Sequence, residues 1–186
     1  MKRRAGFREQ RSRIFVGCEG QSEQSYSKFV SFLLAKDSVG FHLDSHVLQG
    51  GDPLARVRAA ILKIDHETLK RGQYIKKFVF LDSDLVETRP DNSKEAMGLA
   101  SDNSINLIWQ KPNHEGFLTM HFIESGRWTP KSNAEISDFL KRLLPNYRKA
   151  MASRAYAKTL TIDHVRRAAS HEPDFASFIK ILRLDQ

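Results

Sequence analysis

The chain has a single cysteine, Cys18, in 186 residues. This scarcity excludes an intramolecular disulfide and any metal site built only from cysteines. Long apolar runs are also missing: the longest, 29–35, is well short of the roughly 18–20 residues of a membrane span. The basic start of the chain lacks the apolar segment of a secretion signal. These absences predict a cytoplasmic protein, and a hydrophobic content of 40% excludes a disordered one.

Acidic residues are fewer than basic ones, 22 against 30, and the net charge of +8 is unevenly spread. Residues 1–13 carry six basic and one acidic residue, residues 14–126 carry 12 and 15, and residues 127–186 carry 12 and six. Basic ends attract polyanions such as nucleic acid, although a solvated arm that only aids solubility explains 1–13 equally well. The carboxylates of the acidic body are suited to holding a divalent cation against phosphates.

Hydropathy periodicity predicts strands that alternate with helices up to about residue 125, followed by helices alone. The predicted strands cover 13–18, 41–48, 77–81 and 105–109. Alternation of this kind predicts an α/β fold with a mostly parallel sheet flanked by helices. We therefore expect a basic arm at 1–13, an α/β domain at 14–125 and a helical extension at 126–186 that packs on the same domain.

Capping residues set the expected limits of several helices. Ser22 or Ser25 is expected to cap the first helix, Asp52 with Pro53 begins the second and Gly72 ends it. Thr161 and Asp174 are expected to cap two helices near the C-terminus. The remaining predicted helices cover 94–100, 114–123 and 148–157, and a further one has its apolar face at 136–144.

Three carboxylates follow predicted buried strands. Glu19 follows the first strand, and Asp82 and Asp84 follow the strongest one. Sites in open parallel sheets form at the carboxyl ends of the strands, so we expect these side chains to meet, with Asp82 and Asp84 pointing the same way in extended chain. Such an oxygen site suits Mg²⁺ or Mn²⁺. The alternative is that these acids only terminate strands and cap the next element.

Four segments, in order over about residues 13–123, resemble the RloB-like proteins of the wider TOPRIM group. Residues 15–23, FVGCEGQSE, are similar to the family's VCEGxTE opening, and 50–54, GGDPL, to its GGDP segment. Residues 80–84, FLDSD, resemble the TOPRIM DxD motif, and 112–122 resemble the later NPxFExWLLLHF block. The chain departs from the pattern at Gly17, Lys111, His114 and Phe117, and none of these changes removes a carboxylate.

The resemblance implies a TOPRIM-like sheet and a metal-dependent nuclease of bacterial anti-phage defence, which in some cases works with an ATPase. It implies that Asp82 and Asp84 bind Mg²⁺ or Mn²⁺, and that Glu19 binds metal or acts as general acid/base. Glu23 either adds a metal ligand or favours the start of a helix. Glu115 falls on the Glu of the family block, which makes it a candidate catalytic residue.

Two further classes of function fit the same sequence. One is a non-catalytic nucleic-acid-binding module, and the other is a regulatory subunit that docks on an ATPase through its C-terminal helices; a homo-oligomer is compatible with both. Three basic pairs in the C-terminal part form either a nucleic-acid-binding face or ordinary solvated surface. They are Lys141-Arg142, Arg148-Lys149 and Arg166-Arg167.

Overall fold

The computed structural model of the protein describes residues 11–36, 40–123 and 132–185, so most of the predicted basic arm lies outside the described residues. The strands are β1 (Ser12–Cys18), β2 (Phe41–Val47), β3 (Lys76–Asp82) and β4 (Asn106–Gln110). The helices are α1 (Gln21–Lys36), α2 (Pro53–Arg71), α3 (Asp84–Thr88), α4 (Pro90–Asp102), α5 (His114–Thr119), α6 (Asn133–Leu143), α7 (Ser153–Tyr156), α8 (Ile162–His171) and α9 (Pro173–Ile181).

The four strands form one sheet in the order β2-β1-β3-β4, and every pairing is parallel. The expected α/β fold with a parallel sheet flanked by helices is thus confirmed. The chain leaves β1 towards β2 on one side and leaves β3 towards β4 on the other. The gap between the carboxyl ends of β1 and β3 is therefore the point where the winding reverses, which is where open α/β sheets place their ligands.

Alternating side chains of the central strands supply two apolar layers, as the period of two in a strand requires. One layer joins β1 and β3 to α1, α5 and the C-terminal helices. Its sheet residues include Ile14, Val16, Phe78 and Phe80. The other layer lies under α2 and α4 and includes Phe15, Val79 and Leu81. Asp82 follows Phe80 by two residues in β3, so it belongs to the face covered by α1 and α5.

The limits of α2 confirm the capping prediction. Asp52 Oδ1 accepts a hydrogen bond of 2.9 Å from the Ala55 N–H, Pro53 occupies the first turn and Gly72 ends the helix with φ of 84°. Thr161 directly precedes α8, and its N–H donates to His164 Nδ1 at 3.2 Å. The Asp52 cap fixes the start of α2, whose residue Arg56 lies 2.8 Å from Glu19 at the carboxyl end of β1.

Other helix limits differ from the prediction. The first helix begins before Ser22, because the Glu23 carboxylate accepts a hydrogen bond of 2.9 Å from the Gly20 N–H and serves that end instead. Asp174 lies inside α9 rather than at its cap. The predicted helix at 94–100 is the longer α4, whose first turn holds Pro90.

Two predicted helices are shorter than expected. After Thr119 the backbone bonds shift to the tighter i→i−3 pattern, such as Phe122 N–H to Thr119 O at 3.0 Å, so the helix predicted at 114–123 ends early. The helix predicted at 148–157 is reduced to α7, because Ala150 has φ of 57° and lies outside the helical region. Within the described residues, no helix is both long and apolar enough to cross a membrane.

Gly116 lets α5 approach the loop that follows β4. A Cβ at this position would lie 2.5 Å from Lys111 O and 2.6 Å from Pro112 Cδ. We expect Gly116→Ala to lower the free energy of unfolding by about 1–3 kcal/mol, because one of these neighbours is backbone and cannot rotate away. Urea denaturation measures the change.

Gly98, inside α4, is the matched control for this prediction. A Cβ there meets nothing within 4 Å. The same substitution should raise the free energy of unfolding by about 0.5–1 kcal/mol through helix propensity alone. Equal effects at the two positions would show that the close approach of α5 is not real.

Candidate active site

Glu19 and Asp82 meet at the gap between β1 and β3. The Asp82 N–H donates to Glu19 Oε2 at 3.0 Å, although 63 residues separate the two in the sequence. Neighbouring parallel strands bring both carboxyl ends to one edge, and the short turn after Cys18 leaves Glu19 beside the end of β3. The expectation that these two residues lie together is therefore met in the structure.

Arg56, from the first turns of α2, forms an ion pair with Glu19. The distance from Arg56 Nη2 to Glu19 Oε1 is 2.8 Å, and the two side chains are 11% and 18% exposed to solvent, respectively. Arg56 Nε and Nη1 are buried and have no acceptor among the described residues. Sequence reasoning missed this residue. The sequence feature that could have pointed to Arg56 is its position four residues after Asp52, in the first turn of the helix that follows the GGDP-like segment.

Asp82 is the most perturbed carboxyl of the site. Burial and the charges of four neighbouring acids raise its pKa to about 8. The four are Glu19, Glu23, Asp84 and Glu115. Asp82 Oδ1 is buried and has no hydrogen-bond partner in the part of the chain that the structure describes. A buried carboxyl oxygen without a donor is costly unless a proton or a cation satisfies it.

Glu19 shares this environment. Burial raises its pKa, and the charges of Glu23 and Asp84 act in the same direction. The hydrogen bond from the Asp82 N–H and the Arg56 guanidinium act in the opposite direction and partly offset that rise. Arg56 is therefore the fixed positive charge that limits repulsion within the acidic site.

Asp84 reaches the site by a different route from the one predicted. The strand ends at Asp82 and α3 begins at Asp84, so the extended geometry that would align the two side chains is absent, and that argument was wrong. The Asp84 N–H donates to Pro112 O at 3.0 Å, and its side chain is exposed. Its charge still raises the pKa of Asp82 and Glu19, which places it at the rim of the cluster.

Glu23 and Glu115 approach from the helices that cover this face of the sheet. Glu23 is 5% exposed; burial raises its pKa, and the charge of Glu115 adds to the rise. Glu115 Oε1 accepts a hydrogen bond of 3.0 Å from the Tyr147 hydroxyl. Glu23 thus both stabilises the start of α1, through the Gly20 N–H, and belongs to the acidic cluster, so the two roles considered for it are compatible.

His114 lies beside Glu23, and His121 packs against Tyr26; both are neutral side chains. Burial lowers the pKa of His114 to about 4 and that of His121 to about 3. The Gln110 side-chain amide donates to His114 Nδ1 at 2.9 Å, and His114 Nδ1 lies 3.9 Å from Glu23 Oε1. His121 Nδ1 donates to Phe117 O, so its Nε2 accepts the Tyr26 hydroxyl at 2.7 Å. Both rings are held by the protein.

The donor chemistry of the cluster suits a hard divalent cation. All five acidic side chains offer carboxyl oxygens, the ligands that Mg²⁺ prefers, and Asp82 Oδ1 lacks a partner. Within 11–36, 40–123 and 132–185, no three acidic, histidine or cysteine side chains already converge as ligands of one metal ion. Both oxygens of Glu19 are held by the protein, by Arg56 and by the Asp82 N–H. Asp82, Glu23, Asp84 and Glu115 are therefore the side chains whose adjustment would complete such a site.

Comparison of the chain with models of known protein families, with curated proteins and with solved structures finds no match.

Proposed function

We propose that the protein is a metal-dependent nuclease of the RloB-like, TOPRIM type, which hydrolyses phosphodiesters of DNA or RNA in bacterial anti-phage defence. The observation that carries this proposal is the Asp82 carboxyl, which lies at the winding reversal of a parallel sheet. Its buried Oδ1 has no partner among the described residues, and the charges of four other acids raise its pKa. The ordered resemblance of four segments to the RloB-like proteins supports it. The proposal includes Mg²⁺ or Mn²⁺ as cofactor and an ATPase as a possible partner.

Repulsion within the cluster gives a physical reason to expect a cation there. Like charges packed in a partly buried site disfavour one another's ionisation, and the raised pKa of Asp82 expresses this. Arg56 offsets only one of the five charges. A cluster of this kind is retained at a cost in stability, which is common where carboxylates serve binding or catalysis.

In the proposed reaction, Asp82, Asp84 and Glu23 would hold the metal ion. A bound divalent cation neutralises charge on the phosphoryl oxygens and lowers the pKa of a bound water. Glu19 is oriented by Arg56 and by the Asp82 N–H, but each of its oxygens keeps a second lone pair. With it, Glu19 would either complete the ligand set or act as general acid/base. Glu115, held by Tyr147, would orient groups at the rim.

Cleavage by the purified full chain tests this proposal. Labelled single-stranded DNA, double-stranded DNA and RNA are incubated with Mg²⁺, Mn²⁺ or EDTA. We expect metal-dependent cleavage of at least one substrate, lost by about 100-fold or more in Asp82→Asn and Glu19→Gln, since even outer-shell changes at metal sites cost about 10–100-fold.

Asp65→Asn is the matched control for these variants. Asp65 is exposed on α2 and lies nine residues, about 14 Å along the helix, beyond Arg56. This variant should cleave like the wild type. Cleavage that survives in Asp82→Asn, or that continues in EDTA, would contradict the proposal. Binding without any cleavage would favour the non-catalytic module, and activity only after an ATPase is added would favour the regulatory subunit.

A further inference from the structure

A short segment of the C-terminal part, residues 145–150, is fastened across the rim of the acidic cluster; we name it the strap. Its ends are held in the core by Leu144 and Met151, which are 4% and 3% exposed. Between them, the Tyr147 hydroxyl donates to Glu115 Oε1 at 3.0 Å, and the Ala150 N–H donates to Ser22 Oγ at 2.9 Å. Glu115 belongs to the cluster, and Ser22 directly precedes Glu23.

The two residues between these anchors are Arg148 and Lys149, and both are exposed. Consecutive Cα atoms are about 3.8 Å apart, so each basic residue lies next to an anchored neighbour and cannot leave the rim while both anchors hold. Neither forms an ion pair with a described residue. Two basic residues are thus anchored through the backbone at the rim of the acidic cluster, and no described carboxylate forms an ion pair with them.

The other two basic pairs of the C-terminal part are used differently. Arg166 donates to Leu184 O at 2.9 Å, and Arg167 donates to His121 O at 3.3 Å, so this pair fastens α8 to the segments that follow α9 and α5. Lys141 lies 3.7 Å from Asp138, and the Arg142 guanidinium lies over the Phe139 ring. The structure therefore separates Arg148-Lys149 from the pairs that the sequence alone could not distinguish.

We propose that the strap is a binding site for nucleic-acid phosphates, in which Arg148 and Lys149 contact the backbone on either side of the phosphodiester presented to the acidic cluster. The inference rests on the proposed nuclease function. Carboxyls repel a polyanion, and interactions between exposed charges act over a Debye length of about 8 Å at physiological salt. Cations fixed at the rim offset that repulsion where the substrate must pass.

The test is binding of labelled single-stranded DNA, double-stranded DNA and RNA in EDTA, measured by fluorescence anisotropy over a series of salt concentrations. The variant is Arg148→Ala/Lys149→Ala. Its matched control is Lys70→Ala/Lys94→Ala, which removes the same charge from exposed positions of α2 and α4, on the opposite face of the sheet. Thermal unfolding of all three proteins verifies the fold.

We expect the strap variant to bind about 10-fold or more weakly at 0.1 M salt. Each lost phosphate contact lowers the slope of log K against log salt by about 0.9 for duplex DNA and about 0.7 for a single strand. The loss of two contacts should therefore make the slope shallower by about 1.8 or about 1.4, respectively. The control variant should keep the wild-type affinity and slope. The substrate with the largest difference identifies the preferred nucleic acid.

Equal affinity and slope in the strap variant and the wild type would overturn the inference. So would an equal loss in the control, or a wild type that binds none of the three probes. Because binding in EDTA is measured without cleavage, these results are separate from failure of the nuclease proposal. If the nuclease proposal fails, the wild type does not cleave any substrate, whether or not the strap binds nucleic acid.

Discussion

Replacing Asp82 by asparagine is expected to stabilise the protein while it abolishes cleavage. At pH 7.5 we expect the free energy of unfolding to rise by about 2–3 kcal/mol, from the difference between a folded-state pKa of about 8 and an unfolded value near 3.9, reduced for partial exposure. Asparagine keeps the shape of the side chain and carries no charge to be repelled by the four neighbouring acids. Urea denaturation of both proteins measures the change.

The pH dependence of this effect has a definite sign. Between about pH 4 and pH 8 the unfolded chain has released the Asp82 proton while the folded chain retains it, so the stability of the wild type falls as the pH rises. Asp82→Asn lacks this contribution, and the two proteins should converge below pH 4. A constant difference across the pH range, or a less stable variant at pH 7.5, would contradict the electrostatic description of the site.

Mg²⁺ should stabilise the wild type and leave the stability of Asp82→Asn almost unchanged. A cation that binds only the folded wild type at 100 times its Kd adds about 2.7 kcal/mol, and Asp82→Asn should gain little. The exposed Asp65→Asn should respond to Mg²⁺ as the wild type does. An equal gain in all three proteins would assign the stabilisation to general screening rather than to the acidic cluster.

Replacing Arg56 by methionine is expected to have the largest destabilising effect. The substitution leaves Glu19 in a partly buried site beside other acids and without its 2.8 Å partner. Breaking a buried ion pair costs about 3–5 kcal/mol, and residual exposure of Glu19 lowers the expected loss to about 2–4 kcal/mol. Denaturation at pH 7 measures it. Cleavage should fall as well, because the Glu19 carboxylate loses its orientation.

Two comparisons make the Arg56 prediction specific. Arg56→Met combined with Glu19→Gln should recover much of the stability, because the unpaired charge is removed, but it should not recover cleavage. Arg58→Met, on the same helix, breaks an exposed ion pair with Glu95 and should cost less than about 1 kcal/mol. If Arg58→Met and Arg56→Met lowered the free energy of unfolding equally, the loss would come from substitution within α2 in general and not from the broken Arg56–Glu19 ion pair.

The sequence was sufficient to predict the sheet and part of the site. Glu19 and Asp82 could be placed together because each follows a strand whose apolar pattern predicts burial, and parallel strands present their carboxyl ends at one edge. Asp84 was predicted at the cluster by an argument from extended chain that fails, since α3 begins at that residue. Local periodicity does not reveal where a strand gives way to a helix.

Arg56 and the strap depend on contacts that no local pattern encodes. Arg56 reaches Glu19 only because the strand order places the start of α2 beside the end of β1. Residues 148–150 of the strap were predicted to begin a helix over 148–157. The positive φ of Ala150 and the Tyr147–Glu115 hydrogen bond show why the chain does otherwise. Tertiary contacts outweigh helix propensity here.

The most direct test of the central claim is the binding of Mn²⁺ to the full chain, measured by electron paramagnetic resonance at pH 7.5 for the wild type, Asp82→Asn and Asp65→Asn. We expect saturable binding of one or two Mn²⁺ ions by the wild type and by Asp65→Asn, displaced by excess Mg²⁺, with binding lost in Asp82→Asn. A wild type that does not bind Mn²⁺, or an Asp82→Asn variant that binds it equally well, would show that the acidic cluster is not a metal site.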